Sequence, residues 1–427
     1  MVGPNPYMAR VVDSQVAAKL RSVSVALIEG ARGCGKTTTS QQFAASEVLL
    51  DEDLAAREHA AHGTLPLLEG PHPMLLDEWP LVPGLWDRVR RASDRLATPG
   101  RFILSASAQP TDYIIAHSGA GRMGRITMRP MSLWESGAGS GEVSLSRLLD
   151  HGFEADYRSR PVAAPSARDE LHQVIEWLLR GGWPLTQRLE PRDAQEFARD
   201  YLDGICRVDV ARAGSVRHDP LGVRRLLASL ARNSASEAGL ETLRADMGHA
   251  GPARQTVSAY VDALENIFVY EPQTAWSTRL LSRAPLRNAP KHHLVDPSLA
   301  AAAIGATADS LFGDRGALGL LFESMAVRDL RIYAQGCRAS VLHYRDKSKL
   351  EVDAVVERDD GRWAAFEIKL GAPAGIDAAA ESLLALRAKV DPETAGPPAA
   401  LMVVTSTGQP YLRPDGVGVA PITALGP

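Results

Sequence analysis

One short glycine-rich segment constrains this chain more than any other feature. Residues 30–37 read Gly-Ala-Arg-Gly-Cys-Gly-Lys-Thr and fit the pattern G-x-x-x-x-G-K-[ST]. An apolar run, Val23 to Ile28, precedes the segment, and a helical pattern follows it. The flanking strand and helix disfavour the alternative of a glycine-rich turn that arose by chance. The segment therefore predicts a strand, a tight loop and a helix in succession.

The glycines of this loop let backbone N–H groups surround phosphate oxygens, with the positive end of the helix dipole behind them. We expect Lys36 to reach the β- and γ-phosphates of a nucleotide and the Thr37 hydroxyl to bind Mg²⁺. The residues assigned to nucleotide binding are Gly30, Ala31, Arg32, Gly33, Cys34, Gly35, Lys36, Thr37 and Thr38.

A second element of such a site is an apolar strand that ends in a carboxylate. Met74-Leu-Leu-Asp77-Glu78 has this form, and its alternative interpretation is an ordinary solvated turn. We assign Asp77 to the metal and Glu78 to polarising an attacking water molecule. A carboxylate in that position favours hydrolysis of the nucleotide over transfer of its phosphoryl group to a small-molecule hydroxyl.

Two further positions are candidates for contacts with the γ-phosphate. Ser105 and Ser107 follow the apolar run Phe102 to Leu104, where they contact the phosphate, orient the water or simply cap the strand. Arg122 is a candidate arginine finger, acting within the chain or from a neighbouring subunit of a homo-oligomer. The alternative for Arg122 is a solvated loop residue.

The order of apolar patterns predicts an α/β multidomain protein. Short apolar runs alternate with helical segments over residues 1–140, which indicates a parallel sheet covered by helices. The glycine- and serine-rich stretch from Ser136 to Gly141 then forms a connector. Residues 141–305 are mostly helical, and residues 306–427 return to strands and helices. We predict three domains with these boundaries.

Composition excludes several classes of protein. The 47 Lys and Arg against 51 Asp and Glu give a net charge of −4, so nucleic acid would have to bind a local patch. Cys34, Cys206 and Cys337 form neither a disulfide framework nor a paired-cysteine metal motif. Apolar runs are too short to cross a membrane. We expect a cytoplasmic protein with no membrane contact.

A cluster of charged residues near the end of the chain suggests a second site. Alternation along a strand places Glu367 and Lys369 on one face, and Asp353 lies on the preceding strand-like segment. Glu323, in a helical segment, completes the set. Metal-dependent phosphodiester cleavage uses Mg²⁺ ligands such as Asp353 and Glu367 with a lysine such as Lys369. The alternative is a half-buried sheet with common Glu–Lys ion pairs.

DNA binding by the middle region stays open from the sequence. Residues 206–292 contain 12 Lys and Arg against 8 Asp and Glu. A basic strip suited to a phosphate track or a wing comprises Arg279, Arg283, Arg287 and Lys291. However, the preceding amphipathic helix carries Asp262 and Glu265 on its outer face, and these would repel phosphate.

Motifs over most of the chain resemble the prokaryotic AAA-superfamily ATPases of unassigned biological role. The N-terminal motifs are Tyr7 to Arg10, Gly30 to Thr38, Leu76-Asp-Glu-Trp79, Val82-Pro-Gly-Leu-Trp86, Gly121-Arg122 and Arg129-Pro-Met-Ser-Leu-Trp-Glu135. The middle motifs are Gly181-Gly-Trp-Pro184, Tyr201 to Asp209 and Lys291-His-His-Leu-Val-Asp296. The C-terminal motifs are Leu321-Phe-Glu323, Tyr344-Arg-Asp346, Glu351-Val-Asp353 and Phe366-Glu-Ile-Lys-Leu370.

The resemblance implies an ATPase domain, a winged-helix-like middle and a C-terminal domain similar to restriction-endonuclease-like folds. ATP as the nucleotide is implied by the resemblance alone. The family typically has Thr-Gly-Ser where this chain has Ser105-Ala-Ser107, so the resemblance does not assign these serines.

Three functions are compatible with the sequence. The first is an ATPase that couples hydrolysis to a Mg²⁺-dependent nuclease acting on DNA. The second is an ATP-driven regulatory switch whose nuclease-like domain is inactive and binds nucleic acid or a partner protein. The third, a small-molecule kinase, would need a dispensable Glu78 and an acceptor pocket that the sequence does not reveal.

Overall fold

The computed structural model describes residues 7–62, 68–82, 84–96, 98–109, 121–153, 167–210, 219–248, 251–277 and 289–427. The chain divides into two compact units. The first comprises residues 1–130 and 263–268, and the second comprises residues 131–262 and 269–427. None of the helices in these ranges combines the length and the hydropathy that a membrane-spanning helix requires.

The first unit is built on a parallel sheet of five strands. The strands are β1 (Val25–Glu29), β2 (Ser46–Leu49), β3 (Met74–Asp77), β4 (Phe102–Ala106) and β5 (Met123–Thr127), and their order across the sheet is β2-β3-β4-β1-β5. Helix α1 (Val12–Ser22) precedes β1, and the helices between the strands are α2 (Lys36–Gln41), α3 (Leu54–His62) and α4 (Leu85–Leu96). The predicted parallel sheet is confirmed.

Burial explains which of these strands the sequence reveals. Every residue of β1 and β4 is buried, and the apolar residues 25–28 and 102–104 follow one another without a polar interruption, as is typical of central parallel strands. β5 pairs with β1 on one side only, and its Gly124 and Arg125 interrupt the apolar pattern. The patterns of the sequence therefore did not predict β5.

The second unit begins with helices, as predicted for the middle of the chain. They are α5 (Leu145–His151), α6 (Ala167–Arg180), α7 (Pro191–Gly204), α8 (Pro220–Arg232), α9 (Leu240–Asp246), α10 (Arg254–Asn266), α11 (Pro297–Ala303) and α12 (Ala308–Gly313). A π-helical turn, Ile205–Asp209, extends α7. The last residues of α10 belong to the first unit. Short strand β6 (Val143–Ser144) precedes α5.

A mixed sheet of six strands forms the rest of this unit. The strands are β7 (Ala339–Arg345), β8 (Glu351–Arg358), β9 (Trp363–Lys369), β10 (Ala400–Thr405), β11 (Tyr411–Leu412) and β12 (Gly418–Pro421), in the order β11-β12-β10-β9-β8-β7. β9, β10 and β12 run parallel, whereas β7, β8 and β9 form an antiparallel meander. The remaining elements are α13 (Arg315–Gly336), α14 (Pro373–Lys389), α15 (Pro392–Ala395) and β13 (Leu425–Gly426), which pairs with β6.

An extended arm brings Lys291 against the sheet. Isolated antiparallel bridges join Gln273 to Lys291 and Tyr270 to Leu294. The Gln273 side-chain amide donates to the carbonyl oxygens of Leu342 and Asp353, each at 3.0 Å, and so attaches the arm to two strands. The arm thereby carries the Lys291 side chain into the interior of the second unit, where it is 1% exposed.

This placement corrects one prediction from the sequence. Lys291 is buried, so it cannot belong to a solvent-facing phosphate track. The other three residues of the basic strip, Arg279, Arg283 and Arg287, lie outside the described residues.

Candidate functional site

The glycine-rich loop leaves β1 at a point where a side chain would not fit. A Cβ atom at Gly30 would lie 2.0 Å from the carbonyl oxygen of Met128, which is backbone and cannot move aside cheaply. Gly35 has a φ of 105°, a left-handed conformation that L side chains rarely adopt. Two glycines of the motif are therefore required by the local backbone itself. Ala31 and Cys34 are buried, whereas Arg32, Gly33 and Thr38 are exposed.

Lys36 folds back over the loop that precedes it. Its ammonium donates to the carbonyl oxygens of Gly30 at 2.9 Å and Ala31 at 3.1 Å, and to the Ser107 hydroxyl at 2.9 Å. The residue is buried. All three N–H donors of the Lys36 ammonium thus point to oxygen atoms in or beside the loop.

Thr37 and Asp77 meet across the gap between α2 and β3. The Thr37 hydroxyl donates to one carboxylate oxygen of Asp77 at 2.8 Å, and the fully buried Ser105 hydroxyl donates to the other. Burial raises the pKa of Asp77, although the hydrogen bonds from Ser105 and Thr37 oppose that shift. The hydrogen bond from Ser105 therefore fixes the position of the Asp77 carboxylate.

Ser107 joins the predicted phosphate-binding lysine to the predicted water-activating carboxylate. Its hydroxyl accepts from Lys36 and donates to Glu78, and its backbone N–H donates to the second Glu78 oxygen at 3.2 Å. Glu78 directly follows β3 and has a φ of 48°. The ends of β3 and β4 thus bring Lys36, Glu78 and Ser107 into one hydrogen-bonded group.

Arg10 supports this loop, although no sequence pattern indicated a role for it. Its guanidinium donates to the carbonyl oxygen of Cys34 at 2.9 Å and to that of Arg129 at 2.8 Å. Arg10 thereby fastens the glycine-rich loop to the segment that follows β5. The resemblance included Tyr7 to Arg10, but only the fold reveals that a residue upstream of α1 reaches the loop.

Arg122 lies away from this group. β1 and β5 are parallel, with Val25 opposite Met123 and Glu29 opposite Thr127. Arg122 therefore stands at the amino end of β5, whereas the glycine-rich loop leaves the carboxyl end of β1. Its side chain forms an ion pair with Asp94. This placement corrects the prediction of a finger acting within the chain, and a finger acting from a neighbouring subunit stays a prediction.

The residues at the loop fit Mg²⁺. Mg²⁺ prefers oxygen ligands and in nucleotide sites is held by one or two protein groups together with phosphate oxygens and water. The Thr37 hydroxyl and the Asp77 carboxylate supply such oxygens within hydrogen-bonding distance of each other.

The C-terminal sheet brings together the charged residues singled out from the sequence. The Lys369 ammonium lies 2.9 Å from an oxygen of Asp353 and 2.6 Å from one of Glu367. The same Asp353 oxygen accepts from the backbone N–H of Ile368 at 2.9 Å. β8 and β9 thus hold these three side chains in direct contact. The carboxylates of Asp353 and Glu367 are buried.

A second ammonium, which the sequence analysis did not place here, completes the cluster. Lys291 Nζ lies 2.8 Å from Glu323, 2.8 Å from Glu351 and 3.4 Å from Asp353. Four carboxylates therefore share two lysine side chains. We refer to Lys291, Glu323, Glu351, Asp353, Glu367 and Lys369 as the lysine–carboxylate cluster.

The pKa values of this cluster reflect burial and mutual charge. Burial, reinforced by the charge of Asp353, raises the pKa of Glu323 and that of Glu367, each to about 8. Burial alone would also raise the pKa of Asp353, but Lys291 and Lys369 lower it below its usual value. Asp353 is therefore the carboxylate that stays ionised while its two neighbours hold protons more tightly.

Mg²⁺ does not fit this cluster as it stands. Lys291 already occupies the space between Glu323, Glu351 and Asp353 and supplies the compensating positive charge. Within the described ranges of the chain, no group of three or more His, Cys, Asp and Glu side chains could hold a metal ion. The geometry is that of an internally neutralised polar cluster.

Three domain families match successive segments of the chain. An AAA domain matches residues 22–136, which contain the five parallel strands and the glycine-rich loop. The parallel sheet of the N-terminal unit matches a P-loop AAA fold. A domain of unknown function (DUF8612) matches residues 171–310, and a second (DUF4143) matches residues 318–425. The AAA match supports a nucleotide-binding ATPase, and the other two assign no activity.

Comparisons with whole proteins add little. No curated protein matches the chain. Among solved structures, the Aeropyrum pernix ORC1 protein in complex with DNA matches with 14% identity, covering 70% of this chain and 93% of that chain. The TM-score of this match is 0.25.

Proposed function

We propose that this protein binds ATP with Mg²⁺ and hydrolyses it at the glycine-rich loop. The observation that carries the proposal is the Ser107 hydroxyl, which joins the Lys36 ammonium to the Glu78 carboxylate. A phosphate-binding cation and a water-activating base need to lie on either side of one γ-phosphate. Among the described contacts, Ser107 is the only side chain that hydrogen-bonds both the Lys36 ammonium and the Glu78 carboxylate.

Each residue of the site has a distinct role in this proposal. Lys36 exchanges its carbonyl partners for phosphate oxygens, and the glycine-rich backbone surrounds the phosphates. Glu78 accepts a proton from the attacking water, and Ser107 orients that carboxylate. Thr37 and Asp77 would hold Mg²⁺, which neutralises charge on the phosphates. Ser105 keeps the Asp77 carboxylate in place, and Arg122 acts only if a neighbouring subunit presents it.

Nucleotide binding is tested by the Lys36→Ala variant. We expect ATP affinity to fall about 100-fold or more, equivalent to about 2.8 kcal/mol, because charge-assisted hydrogen bonds to phosphate are lost. Isothermal titration of the full chain with ATP and Mg²⁺ measures the change. The matched control is Lys19→Ala, which removes the same ammonium from α1. If both variants bound ATP like the wild type, the assignment of Lys36 would be wrong.

For the C-terminal sheet, we propose the regulatory-switch alternative. In this alternative, ATP turnover changes the conformation of a domain that binds nucleic acid or a partner protein but does not cleave DNA. The support is Lys291, whose ammonium already compensates the carboxylates that a catalytic metal would need. A Mg²⁺-dependent nuclease is the second candidate function. It is favoured by the convergence of Asp353, Glu367 and Lys369, but it requires Lys291 to leave the cluster.

A cleavage assay separates these candidates. We expect the purified chain to hydrolyse ATP but not to cleave single- or double-stranded DNA in Mg²⁺ or Mn²⁺, with or without ATP, because the metal position is neutralised. Asp353→Asn is assayed beside Asp359→Asn, a control on an exposed carboxylate after β8. Cleavage that is lost in Asp353→Asn and kept in Asp359→Asn would establish the nuclease and refute the switch.

A further inference from the structure

A cavity opens in the second unit beside the carboxyl end of β9. It has a volume of about 770 Å³ and is lined by residues that include Arg168, Phe312, Arg315, Ala372 and Thr407. Leu370 and Ser406, which also line it, directly follow β9 and β10, two neighbouring parallel strands. The carboxyl ends of parallel strands are a common location for ligand sites in α/β proteins.

Two exposed arginines, one on α6 and one on α13, line this cavity. The Arg168 and Arg315 guanidinium groups lie 5.3 and 4.7 Å from the centre of the Phe312 ring, and His172 stacks on that ring at 4.3 Å. Within the part of the chain that the structure describes, neither arginine has a carboxylate partner. The aromatic ring thus holds two uncompensated cations beside the cavity. Guanidinium groups are well suited to phosphate because their donors match its oxygen atoms.

The start of α14, a helix of 17 residues, adds a further donor beside the cavity, at its N-cap residue Ala372. Pro373 has no N–H, and the N–H groups of Gly375 and Ile376 donate to the Ala372 carbonyl oxygen, so the N–H of Ala374 is the donor that the first turn offers. Helix N-termini stabilise anions through these N–H groups and the helix dipole. Thr407 contributes a hydroxyl-bearing side chain to the same wall. The cavity therefore combines two arginines with a helix start, and both favour an anion.

An adjoining cavity has the opposite chemistry. Its volume is about 450 Å³, it shares Ser406 and Thr407 with the first, and it is lined by Asp169, Glu170 and Trp177. Glu170 already accepts a hydrogen bond from the backbone N–H of Gly408 at 3.2 Å. Carboxylates accept from hydroxyl and amino groups, and an indole face suits a planar ring. An anionic ligand group would thus occupy the cavity with the two arginines, and a group rich in hydrogen-bond donors would occupy the adjoining cavity.

We infer that these two cavities form a binding site for a nucleotide unit, separate from the glycine-rich loop. Arg168 and Arg315 bind the phosphate. The sugar and base occupy the cavity that is lined by Asp169, Glu170 and Trp177. The volumes fall within the range of small-ligand sites. The phosphate ester belongs to a free mononucleotide or to one residue of a nucleic-acid strand. The inference does not depend on ATP hydrolysis, because every residue involved lies in the second unit.

The test uses the full chain carrying Lys36→Ala, so that the glycine-rich loop contributes little binding. Arg168→Gln and Arg315→Gln are introduced together, beside a control pair, Arg192→Gln and Arg387→Gln, on exposed positions elsewhere in the unit. One arm titrates AMP, and the other titrates a fluorescent single-stranded oligonucleotide without terminal phosphates. Thermal melting verifies that all variants are folded.

We expect the cavity variant to bind at least one ligand about 10-fold more weakly or worse, with the control pair unchanged. For the oligonucleotide, the slope of log affinity against log salt should also fall by about 0.7, since the contact with one phosphate is removed. The arm that responds identifies the source of the phosphate. The inference is overturned if the wild-type cavity binds neither ligand, or if the control pair weakens binding as much as the cavity variant. ATP turnover of the cavity variant with Lys36 intact should stay unchanged.

Discussion

Replacing Glu78 by Gln is expected to slow ATP hydrolysis by about 10²- to 10³-fold while ATP still binds. The amide keeps the size and can keep one of the two hydrogen bonds from Ser107, but it cannot accept a proton from water. Nucleotide binding depends on Lys36 and the loop backbone, which the substitution leaves in place. Phosphate release under saturating ATP measures turnover, and titration calorimetry measures binding.

The matched control for this substitution is Glu52→Gln, an exposed carboxylate in the same unit. Its turnover should equal that of the wild type. Comparable turnover in the Glu78→Gln and Glu52→Gln variants would remove Glu78 from water activation. Loss of binding in Glu78→Gln would instead mean that this carboxylate supports the loop.

Replacing Lys291 by Met is expected to destabilise the C-terminal sheet by about 3–5 kcal/mol near pH 8. The substitution keeps an apolar stem but removes the ammonium that contacts Glu323, Glu351 and Asp353. Hydrogen exchange of the amides in β8 and β9 reports the local free energy of opening, because a chain of two units need not unfold in one step. β1 and β4 in the first unit serve as internal references.

The stability that the C-terminal sheet loses in the Lys291→Met variant should be smaller at pH 6 than at pH 8. Glu323 and Glu367 have pKa values of about 8 in the folded state against 4.5 ordinarily, so the folded state binds more protons between these values. Stability therefore falls as pH rises through that window. At pH 6 both carboxyls are largely neutral, and fewer uncompensated charges remain once Lys291 is gone. The lowered pKa of Asp353 affects stability only at more acidic pH.

Lys389→Met is the control for this experiment. Lys389 pairs with Asp346 at the surface, and such exposed pairs contribute at most about 1 kcal/mol. In the Lys389→Met variant, the hydrogen-exchange rates of the β8 and β9 amides should resemble those of the wild type at both pH values. If Lys291→Met behaved in the same way, Lys291 would not be the cation that stabilises the cluster.

Local rules predicted the glycine-rich loop well, because its chemistry is contiguous in the chain. The Gly30 to Thr37 pattern needs only a strand before it and a helix after it, and both are present. Asp77 and Glu78 followed from a strand that ends in carboxylates. By contrast, the role of Ser107 depends on β4 lying between β1 and β3, and strand order is not legible in one sequence.

Other features required the tertiary structure. Arg122 follows a glycine pair that suggests a functional loop, but the parallel register of β5 puts it at the amino end of the strand. Lys291 looked like one member of a basic strip because its neighbours in the sequence are Arg and His. Its burial depends on the bridge to Gln273 and on contacts with carboxylates far along the chain. The sequence revealed Asp353, Glu367 and Lys369 as a set but not Lys291, the second cation that contacts Asp353.

The backbone at Glu78 carries a consequence for how this protein can change over evolutionary time. A left-handed conformation costs a residue with a side chain about 1 kcal/mol or more, and Glu78 adopts one at a φ of 48°. Glycine is the residue that would relieve this cost, yet glycine has no carboxylate. Selection for greater stability and selection for turnover therefore favour different residues at position 78, and the proposed activity is retained at the expense of a less stable turn.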